Sequence, residues 1–437
     1  MTENNFYSSM SNNASMWCIN SRYMQKFLKV IVLLLGCVCA TLVNAQELRR
    51  GETVTGRARP NLDARGIQIG VFRMFPAIDI GFLYDDNIFA DNNREVDDQI
   101  TLIRPELIFE ADWSRAQLEL GTDLTVGRYA DIDTEDYEDW RVWGELGVDL
   151  GRGLLVAEVR HMDLHEWRTS ADDSRGIRPT EYTSDFLSLG YRNQFGHITA
   201  DANLSLRTLS FDATETLDGP QSNKDRDRDN NNLRVRIGYS RAQRFQPFVE
   251  LGLTEVSFDQ QFNDDGFQRS SDGFDIVGGT EIDISGKTFG EVFVGYINRD
   301  YDDVRFLKVD GPIFGGELTS NITGLTTLQL SANRLIKSTT IVGAAGITDT
   351  GFALKLDHEL LRDLILSFDI SANNEDFEGI DRSDDIFGMG LEGVYMMNRY
   401  LQLRFGINYL NRDTSPLDSG GREFDIKRIY FGIQGQI

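Results

Sequence analysis

The sequence predicts an all-β protein, one transmembrane antiparallel up-and-down β-barrel of about eighteen strands. Three observations predict it. From about Ala77 to Ile437 apolar and polar residues alternate with period two, the mark of strands with two unlike faces. The connections between those strands alternate between short and long. After residue 45 no apolar run approaches the roughly 18–20 residues that a spanning helix needs, and a closed barrel is the other structure that satisfies its own backbone in lipid.

Taken in chain order, the N-terminus reads as an export signal. Arg22, Lys26 and Lys29 precede the apolar run Val30–Leu35, and small residues at Val43, Asn44 and Ala45 make a cleavage site before Gln46. The polar first twenty residues leave Met16 and Met24 as alternative starts, and Leu34-Leu35-Gly36-Cys37 resembles a lipoprotein cleavage box, the competing reading. All three cysteines (Cys18, Cys37, Cys39) lie in the segment to be removed. No thiol then remains to mispair in an oxidising compartment, and neither a disulfide scaffold nor a cysteine–metal site is expected. That segment carries a net +2, so the remainder stands at −27 against −25 for the whole chain. Such an acidic surface argues against nucleic acid or anionic lipid as a partner.

Residues 46–75 form a basic periplasmic lead-in, with Arg49, Arg50, Arg57, Arg59, Arg65 and Arg73 against Glu47, Glu52 and Asp63. It is read first as a disordered linker and second as a plug for the acidic barrel or a contact for a periplasmic partner. The barrel is assigned to 76–437. Its clearest strands are Leu401, Leu403, Phe405, Ile407 and Tyr409 against Gln402, Arg404 and Asn408, and Ile429, Phe431 and Ile433 against Arg428, Tyr430 and Gln434. Leu118, Leu120, Leu124 and Val126 against Glu119 and Asp123, and Leu233, Val235 and Ile237 against Arg234 and Arg236, repeat the pattern.

A soluble sandwich would alternate too, so connection lengths decide. Short turns fall near residues 114–115, 151–153, 195–196, 243–244, 285–286, 323–324, 362–363 and 398–399. Long polar stretches lie near 85–98, 131–138, 169–179, 213–231, 262–273, 302–311, 337–347, 377–383 and 413–422. Eight short turns interleaved with nine long loops give eighteen strands, with both ends of the barrel on the short-turn, periplasmic side. Sixteen strands is the alternative, because the pattern blurs around 300–325. Pro76 and Pro247 fall at strand beginnings, and Tyr84, Trp140, Trp167, Tyr239 and Tyr409 near strand ends, as interfacial girdles require. The last strand is amphipathic but ends in Ile437 rather than an aromatic residue.

One block has a family resemblance. Arg57-Ala58-Arg59-Pro60, Asp63, Gly66-Ile67-Gln68-Ile69-Gly70, Phe75-Pro76 and Tyr84-Asp85-Asp86-Asn87-Ile88-Phe89 resemble the putative beta-barrel porin family. The resemblance implies an outer-membrane barrel of the kind encoded in exopolysaccharide loci, helping surface or secreted polysaccharide leave the cell. It brings no catalytic or ligand residues. Read from the residues alone, Tyr84, Asp85, Asp86 and Asn87 are turn chemistry at a strand end, since Asp and Asn bond their own backbone.

Other constellations are weak. His161, Asp163 and His165 share a strand parity, yet His161 and His165 would lie about 13–14 Å apart on a straight strand, too far to share an ion. They are read as polar lumen positions. Asp225, Asp227 and Asp229 begin like a calcium loop, but interleaved arginines and Arg236 at the twelfth position break it. Acidic stretches 85–98 and 131–139 could hold divalent ions that bridge lipopolysaccharide phosphates. Serine–histidine hydrolase and phosphate-loop motifs find no match. No metal, cofactor or catalytic residue is assigned.

The working surface is therefore the lumen. Candidates for its lining are Glu119, Asp123, Glu145, Asp149, Asp201, Arg207, Arg234, Arg236, Asp369, Arg404 and Arg428. Opposite charges across a lumen set a transverse field that sorts permeants by size and charge; the same residues could equally be ion pairs that hold the wall. The expectation is a non-enzymatic channel in the Gram-negative outer membrane, among lipid and lipopolysaccharide. Export of polysaccharide with periplasmic export proteins comes first; a general diffusion porin and a structural or adhesive barrel are the alternatives.

Overall fold

The computed structural model describes residues 51–437 apart from Asp218, Ala242, Gln243, Ser285, Leu417 and Asp418. The export signal of residues 1–45, the first five residues of the lead-in, and the predicted turn residues Gln243 and Ser285 lie outside the described residues. No described helix is long and apolar enough to cross a membrane.

The barrel strands, numbered in chain order, are β1 (Phe72–Asp85), β2 (Asp98–Trp113), β3 (Ala116–Tyr129), β4 (Tyr137–Asp149), β5 (Gly153–His165) and β6 (Glu181–Phe195). Next come β7 (Ile198–Phe211), β8 (Arg228–Tyr239), β9 (Phe245–Phe258), β10 (Ser271–Ile284), β11 (Thr288–Tyr301) and β12 (Val309–Thr323). The last six are β13 (Thr326–Lys337), β14 (Ile347–Leu361), β15 (Leu364–Phe377), β16 (Ser383–Asn398), β17 (Leu401–Ser415) and β18 (Phe424–Gln436). Each pairs antiparallel with its chain neighbours, and the ring closes where β18 meets β1, with Ile80 opposite Ile433 and Phe82 opposite Phe431. The sheet has nineteen described members; Ile67–Ile69 pairs only with the start of β1, which leaves eighteen in the ring. Closure matters because it removes the unpaired edges that lipid cannot solvate.

Eighteen strands decides against sixteen, and β11 and β12 run cleanly through the stretch where the alternation blurred. The barrel begins earlier than residue 76. β1 starts at Phe72, so the end of the lead-in is strand, and Pro76 is interior to β1, one residue before the first β1–β18 pair at Ala77 and Gln436.

The two faces differ as the alternation requires. Ile78, Ile80 and Phe82 of β1, Leu187 and Leu189 of β6, Val249, Leu251 and Leu253 of β9, and Ile429, Phe431 and Ile433 of β18 all point outward and are exposed. So wide an apolar surface would be a liability in water and is what a hydrocarbon contact demands. The inner positions are charged residues, small residues, a few aromatic rings and buried aliphatic residues such as Ile100, Leu102, Val277 and Ile313. Among the rings, Trp143 covers Gly121, Tyr137 covers Gly127, Phe248 covers Gly279 and Phe293 covers Gly315, each aromatic in register with its glycine on the next strand. A bare glycine lets the ring lie flat against the wall, which packs the lumen side without narrowing it.

Candidate functional site

Residues directly opposed across an antiparallel pair share a face of the sheet, so the register fixes what lines the lumen. From Asp79, Asp85 and Arg428 at the β1–β18 seam, the inner face can be followed strand by strand. It carries all eleven lumen candidates. Trp143 Nε1 donates to Glu119 at 3.0 Å, and Arg141 Nε to Asp123 at 2.9 Å. Arg234 reaches Glu250 at 2.7 Å and Asp275 at 3.2 Å, while Arg236 reaches Glu250 at 2.7 Å and Glu291 at 2.8 Å and lies over Phe248. Arg192 pairs with Asp201, and Arg428 with Asp85 at 2.7 Å. Arg207 stacks over Phe186, its ring centroid 5.2 Å away. Asp369 is in register with Lys355, and Arg404 with Val394 and Gly432. Asp149 sits at the periplasmic rim and accepts from Gly151 N at 2.6 Å, a turn contact. The candidates therefore do not converge on one point. Arg234 and Arg236 share Glu250, Glu119 is opposite Glu145, and the rest are spread around the wall.

The register also shows residues that alternation alone did not single out. Glu110 of β2, Glu119 of β3, Glu145 of β4 and Glu158 of β5 are opposed in one continuous row. A second row joins Glu281 of β10, Glu291 of β11 and Glu317 of β12. In a ring of eighteen, β3 and β12 are nine strands apart, so the two rows stand on opposite walls. Like charges directly opposed are destabilising; at ~5 Å each pair costs roughly 1 kcal/mol even in bulk water. Part of the repulsion is offset. Arg160 pairs with Glu158, Arg236 with Glu291, and Arg73 lies opposite Glu110. Glu145 stands between Glu119 and Glu158, with the Arg160 charge near enough to interact with it. Each glutamate was visible in the sequence; only strand pairing brings them into rows.

The extracellular mouth is crossed by the long connection between β5 and β6. Its root is fixed by two buried, bidentate ion pairs. Arg168 Nε and Nη2 donate to Glu135 at 2.9 and 2.6 Å, and Arg226 Nη1 and Nη2 donate to Glu166 at 2.9 and 2.7 Å. Burial alone would lower the pKa of both arginines, but the hydrogen bonds and charges of Glu135 and Glu166 outweigh it and raise both. Its tip reaches the far wall. Asp172 Oδ1 accepts from Thr339 Oγ1, Thr340 N and Thr340 Oγ1 at 2.7, 2.9 and 3.0 Å, and Ala171 packs against the cluster of Ala344, Ile347 and Phe377. Arg422, from the β17–β18 loop, holds Asp173 at 2.7 Å.

The periplasmic mouth is lined by residues 51–66, which are ordered rather than the linker that composition favoured. Arg59 Nη2 donates to Glu359 at 2.8 Å, Val54 N to Thr327 Oγ1 at 2.9 Å, Asn321 Nδ2 to Glu52 O at 2.6 Å and Gly66 N to Ile437 O at 3.1 Å. Val54 and Leu62 pack with Ile365 and Met396. The segment follows the inner rim from β18 back to the β10–β11 turn, where Gly51 N meets Gly286 O.

The Tyr84–Asn87 block has a structural job. Asn87 N donates to Asp85 Oδ1 at 2.9 Å, Asn87 Nδ2 to Asp425 O at 3.2 Å, and Lys427 Nζ to Asp86 at 3.0 Å. It pins the first long loop to β18 at the seam that closes the ring. The histidine reading needs correcting. His161 and Asp163 face outward with Val142, and His161 Nδ1 lies 2.6 Å from Asp185. His165, at the strand end, turns to Asp139 at 2.8 Å, lies tilted against the Tyr137 ring and meets Trp167 edge-on. His161 and Asp163 are thus not lumen positions, whereas His165 sits with Tyr137 and Asp139 on the inner side. Asp225, Asp227 and Asp229 diverge, accepting from Asp264 N, Phe211 N and Thr208 Oγ1. Among the described residues no group of three or more His, Cys, Asp or Glu could hold a metal.

Comparison with known proteins gives a family match over most of the chain. The sequence model described as Putative beta-barrel porin 2 matches residues 59–437. Solved structures similar to the chain include Pseudomonas aeruginosa OpdL, at 10% identity and a TM-score of 0.43 over 84% of this chain and 99% of that one. Acinetobacter baumannii OccAB4 follows at 10% and 0.44 over 83% and 98%. Pseudomonas aeruginosa OccK2 in complex with glucuronate follows at 13% and 0.45 over 84% and 98%. No curated protein matches the chain.

Proposed function

The chain belongs to the putative beta-barrel porin 2 family and is an outer-membrane β-barrel porin, and from its inner wall we propose that it passes small solutes and prefers cations to anions. The observation that carries this reading is the pair of glutamate rows on opposite walls, Glu110–Glu119–Glu145–Glu158 and Glu281–Glu291–Glu317. Rings or rows of carboxylates lower the energy of a cation in a pore and raise that of an anion. The arginines of the wall offset the rows only in part: Arg236 pairs with Glu291 and Arg160 with Glu158, while Arg141 and Arg428 are committed to Asp123 and Asp85 outside the rows.

Polysaccharide export, implied by the resemblance of the lead-in block, draws less support from the geometry. Both mouths are occupied by ordered chain of this protein, an arrangement that suits small solutes better than a polymer. The outward apolar belt supports lipid and lipopolysaccharide as surroundings, and residues 1–45 are proposed to be removed on export, which N-terminal sequencing starting at Gln46 would verify.

The test is swelling of proteoliposomes in isotonic solutions of two amino acids of matched size, lysine and glutamate. Faster swelling in lysine supports the reading. Equal rates, or faster swelling in glutamate, rejects cation preference, and no swelling in either rejects the channel.

A further inference from the structure

We propose that the barrel wall has a lateral exit between β12 and β13, through which an uncharged amphiphile with an alkyl chain passes between the lumen and the outer leaflet. The proposal goes beyond the channel reading and does not draw on the glutamate rows. It starts from the ladder. The last β12–β13 pair toward the extracellular side is Gly315 with Asn333, so residues 309–314 and 334–337 have no register partner across the seam. Residues 309–314 pair only with β11, and 334–337 only with β14. Each other seam of the ring is paired to within two residues of the extracellular end of at least one of its strands. Pro312 suits this stretch, since it has no N–H to give to a ladder and proline in sheets keeps to edges.

The seam is filled instead by apolar packing between faces that a plain barrel wall keeps apart. Register puts Ile297, Tyr301 and Val309 on the inner face, opposite Asp275, Ser271 and Arg299. It puts Ile336 on the outer face, opposite Thr348 and one position from Lys337, which points inward to Asp349 and Glu375. Yet Val309, Ile336 and Ala345 form one buried cluster, joined by Ile297, Tyr301 and Phe306. An outward residue of β13 thus lies against inward residues of β11 and β12. At this end β13 passes inside β12, and the wall is lapped rather than zipped. Thr348, outward by register, is accordingly buried. Arg269, from the β9–β10 loop, holds the inner layer in place by donating to the carbonyls of Thr339, Ala344, Thr340 and Ile341 at 2.7, 3.0, 3.2 and 2.9 Å.

A lapped seam opens differently from a zipped one. Parting two laddered strands strands a row of backbone donors and acceptors in lipid, where nothing replaces their partners. Parting the lap separates side chains only, and a guest can restore those contacts. The walls select the guest. Val309, Ile336, Ala345 and Ile297 offer hydrocarbon within the lap, and on the lipid side Phe314 of β12 reaches over β13 to Phe352 of β14, ring centroids 6.1 Å apart. An alkyl chain gains by burial against such walls, whereas an ion would lose its hydration there.

The experiment photolabels proteoliposomes, holding the protein without residues 1–45, with a diazirine-bearing fatty alcohol and locates the label by mass spectrometry. All three cysteines lie in the omitted segment, so Phe314→Cys/Arg334→Cys can be bridged across the seam by a short bifunctional methanethiosulfonate and freed by reductant. Heat-modifiable migration on gels confirms that each barrel is folded. Ile100 and Leu102 serve as reference, being inward, as deeply buried, and on a strand paired at both edges. The expected result is label on Val309 and Ile336 at least fivefold above the reference, falling to the reference level when bridged and recovering on reduction. Label on Val309 and Ile336 no higher than the reference in the parent, or unchanged by the bridge, overturns the exit. Swelling in lysine, which tests the channel reading, should not respond to the bridge, so the two readings can fail separately.

Discussion

Arg168 and Glu135 meet face to face over the extracellular mouth, with two parallel hydrogen bonds of 2.9 and 2.6 Å between side chains that are 7% and 2% exposed. The pair joins the β5–β6 connection to the β3–β4 loop, and Asp173 adds a third contact to the same guanidinium at 3.3 Å.

Arg168→Ala should therefore loosen the root of that connection. Leaving Glu135 buried without its partner costs about 3–5 kcal/mol locally. The barrel itself should remain, since its ladder does not pass through either residue. The expected outcome is rapid protease cleavage within 166–180 in intact proteoliposomes, with heat-modifiable migration retained. Arg168→Lys should fall between, because an ammonium cannot reproduce the planar two-bond fork.

Gly121→Ala should perturb far more than Gly147→Ala, although both are glycines of neighbouring inner strands. A Cβ at Gly121 would lie within the ring of Trp143, whereas one at Gly147 meets nothing within 4 Å. Displacing Trp143 also breaks its bond to Glu119. The expected loss is about 1–3 kcal/mol for Gly121→Ala and near zero for Gly147→Ala, measured as the shift in denaturant midpoint of the detergent-folded barrel.

The β11–β12 loop should stay clipped well into acid. Hydrogen bonds from Arg305 hold the Asp303 carboxyl well below the usual carboxylate range, helped by backbone donors at Arg305 and Gln268. A depressed folded value means that the clip is at full strength above the unfolded value of about 3.9 and is lost only as pH falls through the lower folded one. Hydrogen exchange of residues 302–308, corrected for intrinsic rate, should stay slow down to about pH 4, and Arg305→Ala should speed it throughout.

How much of this was legible in the sequence depends on how local each feature is. Alternation and sorted connections are local, and they sufficed for eighteen strands, for the turn chemistry at Tyr84–Asn87 and for the parity of residues such as Arg234, Arg236 and Arg404. Strand pairing is not local. Glu119 and Glu145 stand alone in the sequence and become neighbours only through the register. The β5–β6 connection was visible as a long polar loop, but its dock lies 168 residues away, from Asp172 to Thr340, where no periodicity reaches. The lead-in misled because a basic, turn-rich stretch reads as solvated chain, while Arg59 and Val54 find their partners 300 and 273 residues further on. His161 misled because it lies past the apolar belt, where the outer face turns polar and parity no longer separates lumen from solvent.

The central claim, a cation-preferring channel built on two rows of glutamates, is tested most directly by the zero-current potential across a bilayer holding the purified protein in a tenfold KCl gradient. A potential of the sign set by potassium, shrinking toward zero in Glu119→Gln/Glu145→Gln/Glu291→Gln, is the predicted result; a potential of the sign set by chloride would contradict it.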